Sequence, residues 1–444
     1  MGTGRLPTVT VAGLLILGLV GTATPALAAD PPVSHDEQIT YQDWTRYRDW
    51  RDGTHRGTIA LPGLRGGVTM LWPAGTADYP DPHTGTTKTW EYATWTSPVR
   101  QVGFDATELV ASWNAQTPPG TWIQVELRGS YTTGDKTPWY VMGRWASGDA
   151  DIRRTSVDGQ GDEHSSIWTD TFSIDDASAG VLLSAYQFRL TLYRAPGQWR
   201  SPRVTMLGAM SSAVPDRFTV PPSPGGIAWG TELAVPRYSQ NVHKGHYPEY
   251  DGGGEAWCSP TSTEMVVEYW GRRPSAEDTS WVNPDYPDPT VNHAARMVYD
   301  YQYEGAGNWP FNTAYAATFP GLEARVTRLH SLDELERFIA AGIPVVTSQS
   351  FLASELDGAN YGTSGHLFVV VGFTAEGDVV VNDPASSSND AVRNVYPRAQ
   401  FEQIWLRTKR HRADGSVASG TGGIAYLIKP VTRPWPHVPG STNW

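Results

Sequence analysis

Residues 30–213 alternate apolar and polar positions with a period of two. Ile123, Val125 and Leu127 interleave with Gln124, Glu126 and Arg128, and Phe188, Leu190 and Leu192 with Gln187, Arg189 and Thr191. Successive side chains of a strand point to opposite faces, so each run predicts a strand with one buried face. Further strands are predicted at 108–113, 139–145, 167–174 and 204–210. Turn residues separate them: Pro118-Pro119-Gly120, Gly134-Asp135, Asp158-Gly159 and Pro196-Gly197. Short alternating strands at this spacing predict an all-β region built as an antiparallel β-sandwich.

The pattern changes across residues 214–230, where Pro215, Pro221, Pro222, Pro224, Gly225 and Gly226 mark a linker between two domains. Beyond it, residues 233–238 read as a leading strand that ends at Ser239-Gln240. The loop Gly252-Gly253-Gly254 then gives way to Cys258, with Pro260 expected at the first position of a helix. Met265, Val266 and Tyr269 form the apolar stripe of that helix, and Gly271 stops it. A second helix is expected over 292–301. Ser331 and Glu334 make a capping box for a helix over 332–341, followed by a strand at 343–347. Residues 367–373 are almost wholly apolar, as in a strand buried on both faces, and 379–381 returns after the turn at Glu376-Gly377. Helices combined with an antiparallel sheet make residues 231–430 an α+β domain. The proline-rich tail, 431–444, is expected to lie on the surface without regular structure.

Composition narrows the function. A length of 444 residues agrees with two domains. The net charge of −12 disfavours nucleic acid and anionic membrane as partners. Residues 1–29 read as a signal peptide: Arg5, an apolar run from Val9 to Val20, and the small-residue site Ala26-Leu27-Ala28. The run is shorter than the ~20 residues that span a bilayer. Export, cleavage near Ala28 and a mature chain with no membrane span are expected. Twelve of the 19 tryptophans lie at or before Trp229. Exposed ones would suit stacking on sugar rings, which leaves a cell-wall glycan contact open for this region, while core and rim packing is the default. The loop 158–163 has oxygen ligands but not a full calcium set, so it reads as a solvated turn.

Cys258 is the only cysteine in the chain. Exported proteins use cysteines in pairs, and a lone extracellular thiol is an oxidation liability. It is kept either as a reactive group or as a small buried apolar residue. At a helix start the thiol faces unpaired backbone N–H groups and the positive end of the helix dipole, both of which favour thiolate. A thiol nucleophile also needs a base, a group that orients the base, and donors for an oxyanion. His366 stands at the mouth of the buried strand, beside Gly365. The hairpin returns Asp383 to its side, and Pro384 ends the returning strand there. Gln240 supplies a side-chain amide at the end of the leading strand. Taken singly, each of these residues also fits a structural role.

Residues 233–429 resemble the C39-like branch of the papain-type cysteine peptidases. The resemblance rests on Val235-Pro236-Arg237-Tyr238-Ser239-Gln240, Trp257-Cys258-Ser259-Pro260-Thr261-Ser262, the run from Gly365-His366 to Gly372-Phe373, and Val381-Asn382-Asp383-Pro384, in family order. It implies a papain-like fold, a peptide or protein substrate, and no cofactor or metal. It further implies that Cys258 is the nucleophile, His366 the general base and acid, Asp383 the orienting carboxylate, and Gln240 an oxyanion donor. The family commonly places glycine after the cysteine; Ser259 stands there and is expected to narrow the cleft. Better-known members cleave double-glycine leaders while fused to an ATPase transporter. This chain has no GxxxxGK[ST] motif, so that substrate class is not implied. A cell-wall amidase or acyl-transferring thiol enzyme, and a catalytically silent binding protein, are the alternatives.

Overall fold

The computed structural model describes residues 1–2, 37–63 and 66–444. The expected signal peptide lies outside the described residues apart from Met1 and Gly2. The first half of the chain forms two seven-stranded sheets, and every strand pairing in them is antiparallel. One sheet is centred on Glu108–Gln116 and Arg203–Ala213, the other on Thr121–Tyr131 and Leu183–Arg194. These four strands contain the predicted alternating runs, and Tyr140–Trp145 matches a fifth.

The single strand expected over 167–174 is instead a hairpin of Ser165–Trp168 and Thr171–Ile174, reversing at Thr169 with φ 54°. Ile167 and Phe172 are an odd number of positions apart. One strand would put them on opposite faces, whereas the hairpin pairs them directly. Seven of the early tryptophans, Trp44, Trp50, Trp90, Trp95, Trp113, Trp122 and Trp145, are at most 2% exposed, so core packing accounts for most of them. Trp72, Trp168 and Trp199 are exposed.

The second half carries a six-stranded antiparallel sheet. Its order is Leu322–Arg328, Ile424–Pro430, Val345–Phe351, Thr363–Phe373, Val379–Asn382 and Arg393–Tyr396. The helix Cys258–Tyr269 packs on one face, where Met265 and Val266 meet Val369 and Val371. The helices Leu332–Ala340 and Arg398–Leu406 cover the other, where Phe338 and Phe401 meet Phe368 and Val370. Both faces are covered, which is why residues 367–373 are apolar without alternation.

Several local expectations change. Residues 233–238 do not form a strand. Leu233 N–H reaches Val371 O at 2.8 Å, and Glu232 bridges Gly372, but Pro236 has no N–H with which to continue a ladder. The cysteine helix begins at Cys258, so Pro260 is its third residue. That costs nothing, because N–H groups of the first turn have no acceptor within the helix. The next helix is Pro289–Val298 rather than 292–301, and Trp309–Ala316 is a helix the pattern did not indicate. Ser331 does cap its helix, accepting from Glu334 N–H, but Glu334 returns its bond to His330 N–H. The tail has no regular structure, yet Asn443 is fully buried and donates to Arg328 O at 2.9 Å.

The described residues from Glu37 to Trp444 pack as one compact unit. The core between the first two sheets also takes in Trp257, Val291, Phe311 and Tyr315 from the second half. Phe311 lies 5.4 Å from the ring of Trp145 and 6.0 Å from that of Trp113. Polar groups complete the junction. Asn114 Nδ2 donates to Ala324 O at 2.7 Å, and Ser112 Oγ accepts from Val326 N–H at 2.9 Å. The Pro/Gly segment 214–230 is pinned by carboxylates: Glu336 Oε2 accepts the N–H groups of Gly226, Ile227 and Ala228, and Glu402 that of Ser223.

Candidate active site

Cys258 is the first residue of its helix and is partly exposed. The glycine loop before it makes a close approach possible. A Cβ on Gly254 would stand 2.4 Å from the carbonyl oxygen of Gln240, so only glycine lets the cysteine loop lie against the Gln240 turn. Trp257 anchors the loop from below, buried, with its indole N–H on Tyr250 O at 2.6 Å.

Gln240 opens a short 3₁₀ turn, Gln240–His243, instead of ending a strand. Its backbone N–H donates to Pro384 O at 2.8 Å, and its Nε2 donates to Glu255 O at 2.5 Å. The residue therefore ties the segment before Cys258 to the segment after Asp383. An amide nitrogen carries two hydrogens, so a second donor remains on Nε2.

His366 is the fourth residue of the strand Thr363–Phe373, not the residue before it. Ser364 and Gly365 are exposed, while His366 is 4% exposed. Its Nε2 is 2.9 Å from Asp383 Oδ1, which leaves Nδ1 for the thiol. Phe368 and Tyr361 flank the ring edge-on, at 4.9 and 5.7 Å. Asp383 follows the strand Val379–Asn382 and is 1% exposed. Four donors reach it: His366 Nε2 and Ala385 N–H on Oδ1, and the hydroxyls of Tyr361 and Tyr396 on Oδ2.

The electrostatics follow from this packing. Burial disfavours a charged imidazole, but Asp383 and the Cys258 sulfur together outweigh it and push His366 up to about 10. Burial likewise works to raise Asp383. The charge and hydrogen bond of His366, with the Tyr396 hydroxyl and Ala385 N–H, hold it below the usual carboxylate range. Both directions favour an imidazolium facing a carboxylate.

Ser259 does not stand in the cleft. It is fully buried, with Oγ 3.0 Å from the Tyr426 hydroxyl in the interior, so the expected narrowing does not occur. One turn along the helix, Ser262 Oγ donates to Leu367 O. The two tyrosines on Asp383 carried no signal in the sequence. Tyr361 lies in a polar connection and Tyr396 at the end of a four-residue strand, and neither belongs to a recognisable motif. Among the described residues no three His, Cys, Asp or Glu side chains gather as a metal site. The loop 158–163 is anchored by Asp162, which accepts the Tyr131 hydroxyl at 2.7 Å.

Comparison with known proteins bears on both halves. Residues 40–212 match the family model of the Peptidase C39 N-terminal domain, and residues 232–413 match that of the Peptidase C39-like family. No curated protein matches the chain. A solved structure of a candidate C39-like peptidase from Bacillus anthracis is 20% identical, covering 45% of this chain and 97% of that one. Its TM-score of 0.28 is too low to carry an argument. Residues 40–212 are thus similar to the C39 peptidase N-terminal domain, and residues 232–413 to the Peptidase C39-like family.

Proposed function

We propose that the chain is a secreted cysteine peptidase with a papain-like catalytic half. Cys258, as thiolate, attacks a peptide carbonyl. The Cys258 backbone N–H and the second Nε2 hydrogen of Gln240 stabilise the oxyanion. His366, as imidazolium, gives its proton to the leaving amine, then serves as base for the water that releases the acyl group. Asp383 fixes the tautomer and stabilises the imidazolium. No step requires a metal.

One observation carries the reading. His366 Nε2 lies 2.9 Å from Asp383, both groups are buried, and Asp383 and Cys258 together raise the His366 pKa. A histidine that serves only to fill a core has no such pair of partners. The exposed Trp72, Trp168 and Trp199 favour a second, non-catalytic role for the first half, a contact with cell-wall glycan.

Profiling cleavage products on a peptide library with wild type and Cys258→Ala tests the proposal. Peptide turnover that disappears in Cys258→Ala supports it. Turnover that survives contradicts it, and turnover of cell-wall fragments with none of peptides replaces the peptidase by an amidase.

A further inference from the structure

Asp383 accepts twice on each oxygen. His366 Nε2 and Ala385 N–H lie 2.9 Å from Oδ1, and the hydroxyls of Tyr361 and Tyr396 lie 2.9 and 2.7 Å from Oδ2. A carboxylate has about four acceptor sites, so all are filled. The two phenols come from independent elements. Tyr361 precedes the strand Thr363–Phe373, and Tyr396 ends Arg393–Tyr396, opposite Val379 in the sheet. We propose that Tyr361 and Tyr396 are positioning residues that hold Asp383 ionised and in the plane that turns His366 Nδ1 toward Cys258. The inference rests on the cysteine-peptidase reading above.

Turning the carboxylate about its Cβ–Cγ bond would break all four bonds together, so the plane is fixed. A phenol can accept from a protonated Asp383 only by turning its own proton away, so the neutral form gives up at least one of the four donated bonds. Burial, together with the charge of Asp383, pushes both phenols upward, so they stay protonated and act as donors. Tyr361 also sets its ring edge-on to His366 at 5.7 Å and 83°, and thereby restrains the imidazole as well as its partner.

The test is the pH profile of Cys258 alkylation by iodoacetamide in the full chain, which needs no substrate. Weaker support of Asp383 destabilises the imidazolium, so the thiolate forms only at higher pH. Tyr361→Phe and Tyr396→Phe are each expected to move the acid limb upward and slow alkylation at pH 5 about threefold to tenfold, with the double variant slower still. Tyr361 is only half-buried, so Tyr361→Phe decides the matter if Tyr396→Phe does not fold. A wild-type profile in the tyrosine variants, with a shifted one in Asp383→Asn, overturns the proposal and leaves the dyad standing. A wild-type profile in Asp383→Asn as well removes the dyad itself.

Discussion

Ser262 Oγ donates to the carbonyl oxygen of Leu367 at 3.2 Å, in a fully buried position. Ser262 is one helical turn after Cys258, and Leu367 directly follows His366, so this bond sets the thiol's helix against the imidazole's strand. Ser262→Ala leaves a buried acceptor unpaired and is expected to cost about 1–3 kcal/mol in urea unfolding. Alkylation of Cys258 should slow severalfold in the same variant. A stability loss with unchanged alkylation would make the bond purely structural.

Ser259 departs from the glycine common in this family but points inward to Tyr426. Ser259→Gly should therefore not speed turnover. It should lower stability by about 1 kcal/mol, through the lost hydrogen bond and the poorer helix propensity of glycine. Thermal denaturation and turnover on one substrate check both parts; faster turnover would mean that Ser259 obstructs the cleft.

Phe311 joins the two halves through Trp113 and Trp145. Phe311→Ala should destabilise the chain by about 3–5 kcal/mol. Because the core is shared, tryptophan fluorescence and the loss of fast Cys258 alkylation at pH 6 should report one coincident unfolding transition. Two separate transitions would show that the halves are stable independently.

Acid should loosen the loop beneath the thiol. His243 is fully buried, accepts on Nδ1 from Asn292 Nδ2 at 3.3 Å, and has the rings of His246 and Trp257 at 5.6 and 5.9 Å. Burial, then the neighbouring His246, lowers it from 6.5 to about 3. The folded chain keeps it neutral while the unfolded chain protonates it below 6.5, so its contribution is full above 6.5 and is lost as pH falls toward 3. Unfolding free energies from urea titrations at pH 7 and pH 5 should differ by about 2 kcal/mol more in wild type than in His243→Gln. Equal differences would mean that His243 does not titrate with unfolding. His366 has the opposite sign: raised to about 10, its contribution is present below 6.5 and lost as pH rises through 10.

Long alternating runs made the central strands legible, because burial on one face writes itself into every second residue. The edge strand Gly75–Pro80 offered little such signal, since its positions alternate between partly and fully exposed. The hairpin at Thr169 carries no glycine or proline turn signal, and only the change of phase between Ile167 and Phe172 marks the reversal. The site was legible where its chemistry is local: a cysteine at a helix start, and a histidine and an aspartate joined by a hairpin. Tyr361 and Tyr396 were not, because they reach Asp383 only through the folded sheet. The shared core was hidden for the same reason: nothing in residues 309–316 indicates that Phe311 packs between two tryptophans of the other half.

Activation of Cys258 by His366 is the central step of the proposed chemistry. Alkylation of the folded full-length chain with iodoacetamide at pH 6, where an ordinary thiol with a pKa near 8.5 is almost wholly protonated, tests this most directly. Wild type should react fast, and His366→Ala slower by about two orders of magnitude, close to a free thiol at that pH. Equal rates in the two proteins, or a wild-type rate no faster than that of a free thiol, would contradict the account.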